Sequence, residues 1–382
     1  MICVQSPGGR WRVAALSIAP TAREWLRHAT GARVLHVFER ACNLVNSAGE
    51  VVSLVSPELR EGPFAIVVPL EVSFSCLIDV DSHVAVQDPT LDVGDLRIDA
   101  STAREWNPRP RWEDARRALS SDLIDELCEW LSACAPSDSL AQALFKGLDF
   151  GKRLYLRSDS RLRPGTWRTI EPAKACIPEF ARLSRSDIAR PGLPNPGQNR
   201  GFGNPLRAFP DLLRPQKGRW NRWAVVQVSV IEAARRPIAA LQAGITRGDP
   251  ALCRSGTHGL AGLGFGLTPA GDDFLLGAMV AIWSAFPSGE AAALAGSIAV
   301  ASAPLTTRLS AAWLQAAARG EVAAPWHDLL AGVTARSRER VLSAAERILD
   351  MGHTSGADAL AGLAAGLIAV GQTTTAPLNF DL

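Results

Sequence analysis

Five glycines fall between positions 259 and 271, in His258-Gly-Leu-Ala-Gly-Leu-Gly-Phe-Gly-Leu-Thr-Pro-Ala-Gly-Asp272-Asp273, and the chain then runs apolar from Phe274 to Phe286. Glycines in this number cannot fill a core, so their use lies in backbone freedom and in room for something close by. The apolar run is long enough for a buried helix of about four turns, with Thr268 expected as its cap and Pro269 as its first position. A loop of this kind offers unpaired N–H groups at the positive end of a helix dipole, which favours an anion. Asp272 and Asp273 fall in or beside the first turn, where a plain capped helix with dipole-favoured carboxylates is the competing reading. The spacing is no nucleotide fingerprint: counted from Gly264, the dinucleotide pattern needs a glycine at 269, where Pro269 stands, and no Gly-Lys-Ser/Thr follows.

The rest of the chain sets the frame for that loop. Its 382 residues, 47% hydrophobic and 20% charged, allow two domains with a sizeable core. No apolar run is long enough to span a bilayer and the N-terminal residues lack a leader pattern, so a cytoplasmic protein that does not engage membranes is expected. Seven cysteines without a C-x-x-C pair, and six scattered histidines, indicate neither a disulfide framework nor a histidine-rich metal site. Charge is uneven. Residues 1–144 carry 13 basic and 20 acidic side chains, 145–222 carry 17 and 6, and 223–382 carry 10 and 12. The basic middle lacks the aromatic interleaving of an RNA-binding motif, so no nucleic-acid partner is expected; an anionic small molecule, an acidic partner or a solvated loop are the readings left.

In chain order, β-branched runs at 13–18, 34–38, 51–55, 64–68, 72–78 and 84–86 read as short strands, with a short helix over 21–29. The periodicity of Trp112, Ala115, Leu119, Leu123, Leu127, Trp130 and Leu131 predicts one amphipathic helix over 111–134. Residues 151–220 mix proline, glycine and arginine and read as a lid or docking arm. Beyond Trp223 the chain is rich in alanine and leucine, with helices expected near 224–246, 270–286, 290–301, 304–319, 335–350 and 356–370. The fold class expected is α+β: a small N-terminal β-barrel or sandwich over 1–110, a helix plus basic connector over 111–222, and an all-α-helical domain over 223–382.

A second helix start echoes the first. Gly271, Asp273, Leu275 and Gly277 recur at an offset of 85 residues as Gly356, Asp358, Leu360 and Gly362. Ser355-x-x-Asp358 also fits a capping box, in which both side chains would serve the helix's own N–H groups. Gly362 and Gly366 read as a tight packing surface between helices. If the two starts converge, they enclose backbone donors at Gly264, Gly266, Gly271 and Gly356, the hydroxyls of Thr268, Thr354 and Ser355, and the carboxylates Asp272, Asp273 and Asp358. Arg254 and Arg308 could bind phosphate or carboxylate bidentately. His258 and His353 flank the two glycine turns and are the imidazoles placed for proton transfer.

The segment GLGFGLTPAGDDFLLG is similar to the GLGxGLTPxGDDFLxG signature of a bacterial family that includes the smallest of three subunits assigned to oxamate carbamoyltransferase of allantoin breakdown. Residues 38–69 resemble the family's N-terminal β segment, and 304–320 and 352–366 its later helices. The sequence departs from the pattern at Phe265, where proline is expected, and at Ala270, where serine is frequent. The resemblance implies a subunit that works with two others on a small anionic carbamoyl substrate, interconverting oxalurate plus phosphate with oxamate plus carbamoyl phosphate. In that chemistry donors around 264–271 would hold a developing oxyanion, Asp272 or Asp273 would hold the carbamoyl NH₂ or act as base, and His258 or His353 would move a proton. No cofactor is required by the sequence. The paired aspartates also resemble, more loosely, the magnesium-binding aspartates of ADP-ribosylglycohydrolases, which would make Asp272, Asp273 and Asp358 metal ligands of a hydrolase. A non-catalytic binding or scaffold subunit is the third reading.

Overall fold

Valine-rich runs between residues 11 and 105 pair into two open sheets in the computed structural model, which describes residues 4–5, 11–145 and 222–373. The stretch expected as a lid or docking arm lies outside the described residues. The strands are β1 (Val4–Gln5), β2 (Trp11–Ala14), β3 (Ser17–Ile18), β4 (Arg33–Val37), β5 (Ala41–Val45), β6 (Val51–Val55), β7 (Ala65–Val67), β8 (Val84–Gln87), β9 (Thr90–Val93), β10 (Leu96–Asp99) and β11 (Arg104–Glu105). They order as β1-β2-β10-β9-β8 in one sheet and β11-β3-β7-β6-β5-β4 in the other. Of the two architectures expected, the sheets adopt the sandwich. One apolar cluster joins Val13, Leu91 and Ile98 of the first sheet to Leu44, Leu54 and Ile66 of the second, with Trp25 of α1 (Pro20–His28).

Two expected strands are corrected. The run 13–18 is not one strand but a switch between sheets: Ala15 N–H bonds the Asp99 carbonyl of the first, and Leu16 N–H the Val67 carbonyl of the second. The run 72–78 forms a 3-10 turn at Phe74–Cys76, because the Ser73 hydroxyl accepts the Ser75 N–H and gives the backbone a local alternative to a ladder. Strands β1, β5, β9, β10 and β11 are additional to those expected.

β6 is buried at every position, which a sheet facing water on one side would not allow. Val52 and Leu54 face the sandwich interior. Val51 faces the other way, joining Val45 and Phe64 against Leu309, Ala312, Trp313 and Ala316 of the helix α9 (Arg308–Ala318). Helix α9 therefore seals the outer face of the second sheet, and Leu267 of the glycine-rich loop packs into the same cluster.

The helix expected over 111–134 is two, α2 (Trp112–Ala118) and α3 (Ser121–Cys134), divided where the Ser120 hydroxyl caps α3 through the Leu123 N–H. After α4 (Ala141–Phe145) come α5 (Arg222–Arg247), α6 (Pro250–Leu260), α7 (Ala270–Ala285), α8 (Ser288–Ser302), then α9, α10 (Ala324–Thr334), α11 (Arg338–Leu349) and α12 (Ser355–Thr373). Helices α4, α6 and α10 are additional to those expected. The helix expected from 304 begins only at Arg308, because residues 303–305 form a 3-10 turn and Thr307 caps α9 by accepting the Ser310 N–H.

Helices α7 and α12 form the centre of this region. A methyl group added at Gly277 would lie 1.7 Å from the Ala359 carbonyl oxygen, and one at Gly362 would lie 1.9 Å from that of Phe274. The two contacts are images of each other under a shift of 85 residues. Further along, Gly366 approaches Ala281, so both helices advance together: they are parallel, with their first turns side by side. Small residues permit the backbones to touch, as expected of Gly362 and Gly366. Among the described residues no helix is long and apolar enough to cross a membrane.

Candidate functional site

The loop between α6 and α7 uses its glycines for conformations that other residues rarely adopt: φ is +70° at Gly262, +116° at Gly264 and +96° at Gly266. It is tied down from three directions. The Asp272 carboxylate accepts the Gly262 N–H at 2.9 Å and the Thr306 hydroxyl. The hydroxyls of Thr307 and Ser310 both donate to the Leu267 carbonyl. Thr268 reaches across to α12, where its hydroxyl lies 3.1 Å from that of Ser355. Between these ties, the amides of Gly264, Gly266 and Thr268 have no acceptor among the described residues.

This geometry corrects the expected cap. The residue before α7 is Pro269, with Ala270 as first position, and no side chain caps the helix. Thr268 is drawn away by its contact with Ser355. Gly271 is required by packing rather than by a ligand, since a methyl there would meet the Leu260 carbonyl at 1.9 Å; Gly356 stands in the same relation to the Ile348 carbonyl at 1.8 Å.

Three carboxyls gather where the helices begin, and their surroundings differ. Asp272 is 2% exposed. Burial pushes its carboxyl upward from the ordinary range, and the Thr306 hydroxyl and Gly262 N–H oppose the rise. Asp273 is raised well above that range, first by burial and then by the charges of Asp358 and Asp272, with the Ser355 and Thr268 hydroxyls acting the other way. Its Oδ2 is inaccessible and has no hydrogen-bond partner. Asp358 is fully buried, and burial carries its carboxyl up to about 7 against the opposing Leu140 N–H and Thr354 hydroxyl. Its Oδ1 accepts the Leu140 N–H at 2.6 Å, while its Oδ2 also lacks a partner. The expected capping box at Ser355 and Asp358 is therefore not made, because both side chains turn to other elements.

The remaining residues read from the sequence lie further out. His258 is exposed, with Nδ1 2.7 Å from the Arg254 carbonyl one turn earlier, and Arg254 itself is exposed on α6. His353 is exposed and its Nε2 lies 3.1 Å from Asp138. Arg308 is exposed at the start of α9, its guanidinium lying over the Gly49 turn between β5 and β6. Thr306, Ser310 and Leu140 belong to the site's framework and carry no local signal in the sequence.

The carboxyls do not fit a metal. Asp272 spends both oxygens on Gly262 and Thr306, Asp358 spends one on Leu140, and no group of three or more histidine, cysteine or acidic residues is arranged to hold an ion among the described residues. What the corner offers is loop amides without an acceptor among the described residues and two buried carboxyl oxygens without a partner. Such a mixture suits a small molecule carrying both acceptors and donors.

No curated protein and no solved structure matches the chain. Two family models do: residues 260–367 match "Oxamate carbamoyltransferase subunit AllH", and residues 14–105 match "AllH family N-terminal domain". The first match takes in the glycine-rich loop and both central helices, the second the sheet sandwich. With more than half its length matched by the two models of one family, the chain belongs to the AllH family.

Proposed function

We propose that this chain serves as a subunit of a cytoplasmic carbamoyltransferase assembly in purine and allantoin nitrogen catabolism, and that the paired starts of α7 and α12 bind its small carbamoyl substrate. The reaction is oxalurate plus phosphate to oxamate plus carbamoyl phosphate, or a related carbamoyl transfer. A phosphate oxygen bonds to the carbamoyl carbon, the bond from that carbon to the oxamate nitrogen breaks, and the nitrogen takes up a proton. Amides of the loop around Gly264 and Gly266 would hold ligand oxygens, including charge that develops on the carbamoyl oxygen. Asp273 would serve the nitrogen side. Asp272 is assigned to holding the loop, Arg308 and Arg254 to drawing anions to the rim, and His258 and His353 to proton exchange with solvent.

The observation that carries this reading is the buried Oδ2 of Asp273, left without a protein partner on the first turn after a loop whose amides at Gly264, Gly266 and Thr268 have no acceptor among the described residues. Buried polar atoms are paired in most folded proteins, and exceptions point to function. The test is release of carbamoyl phosphate from oxalurate by this chain co-expressed with the other subunits. Asp273→Asn is expected to lower kcat/KM by about 100-fold or more, the size of losing a group that acts in the transition state. An unchanged rate would favour the non-catalytic scaffold reading, which the internal use of Asp272 also fits.

A further inference from the structure

The two central helices deliver one acid each from equivalent positions, Asp273 and Asp358, and in each the Oδ2 atom has no hydrogen-bond partner. These oxygens cannot drift to water. The glycine contacts at 277 and 362 fix the helices backbone to backbone, Asp358 is fully buried, and Ser355, on the same first turn as Asp358, touches the Thr268 loop beside Asp273. A ligand oxygen that carries no hydrogen supplies neither Oδ2 atom with a donor. A nitrogen carrying two hydrogens supplies one donor to each, and the amides of the loop that leads into α7 are donors for the carbonyl oxygen of the same group.

Building on the carbamoyl reading above, we propose that Asp273 and Asp358 form a specificity pair for a primary amide, H₂N–C(=O)–, each Oδ2 accepting one N–H. The pair selects a carbamoyl group over a carboxylate of the same shape. Oxamate and oxalate separate these cases, since they differ by NH₂ in place of an oxygen.

The experiment is calorimetric titration of each into the co-expressed assembly at neutral pH. Oxamate is expected to bind at least about tenfold more tightly than oxalate, within the range for leaving buried polar groups unpaired. Asp273→Asn and Asp358→Asn each replace an acceptor oxygen by an NH₂ in one orientation, and each is expected to bring that ratio to about one or below. Thermal unfolding of both variants checks that they fold, and the wild-type comparison needs no variant. Equal or tighter binding of oxalate by the wild type overturns the pair, and so does an oxamate preference that survives both substitutions. These outcomes are separate from the reaction: turnover of oxalurate with an unaltered preference leaves the carbamoyl reading standing and removes the specificity pair. An aspartate-dependent oxamate preference without turnover does the reverse.

Discussion

The start of α7 and the start of α12 occupy matching places in one pair of touching helices, yet they are held in different ways. At α7 a long loop of left-handed glycines is pinned by Asp272, Thr307, Ser310 and Thr268. At α12 a short turn with one such glycine, Gly352, suffices. Asp272 has no acidic counterpart 85 residues on, where Ala357 stands. Asp273 and Asp358 do correspond, and they are the pair left with unpartnered oxygens. An acid that staples its own loop with both oxygens thus differs in kind from two acids that each keep one oxygen without a partner.

The largest effect should come from the shared contact. Gly277→Ala and Gly362→Ala each drive a methyl into a carbonyl of the facing helix, and overpacking of a rigid backbone contact is expected to cost about 3 kcal/mol or more. If the two starts are equivalent, both variants should lose similar amounts in chemical denaturation. A large loss at one position alone would break the correspondence.

Next in size is Asp358→Asn. The folded protein holds the proton on Asp358 up to about pH 7, whereas an unfolded carboxyl releases it near 3.8, so the folded state binds more protons between those values. Wild-type stability should therefore be fullest below pH 3.8 and fall as pH rises to about 7 on account of this group, by at most about 4 kcal/mol. The asparagine can still accept the Leu140 N–H. Its advantage in Tm over the wild type should grow from about pH 4 to about pH 7 and level off above. A variant less stable than the wild type at about pH 8 would contradict the view that Asp358 is retained at a cost to stability.

Asp272→Ala should act in the opposite sense, destabilising by about 1–3 kcal/mol by orphaning the Gly262 N–H and the Thr306 hydroxyl. Hydrogen exchange at 261–269 should quicken with it, while the turn before α12 stays unchanged; equal quickening at both would merge the two starts into one unit. The smallest effect is expected at Gly266→Ala, where nothing lies within 4 Å but φ is +96°, so the cost is conformational and about 1–2 kcal/mol.

Much of this was legible in the sequence because it is local. The Gly-rich loop, the buried helix after it, the 85-residue echo and the α+β order follow from spacing and periodicity, which depend on neighbours a few residues apart. The resemblance carried by GLGFGLTPAGDDFLLG named the family that the two matches establish. Reading failed where a short polar contact overrode pattern: Ser73 turned an apparent strand into a 3-10 turn, and Ser120 divided an apparent helix. Caps were misread for the same reason, since Thr268 and Asp358 bond across the fold rather than within their own helix starts.

By itself, then, the sequence determined the α+β order, most of the helices, and where backbones must come close, since glycine and β-branching act within their own stretch of chain. Tertiary structure alone decided that Asp272 faces Thr306, that Leu140 reaches Asp358 from 218 residues away, and that two acids end beside one loop with an oxygen each unpaired. Those outcomes depend on how closely packed helices bring distant residues into register, a property of the whole core that no local pattern encodes.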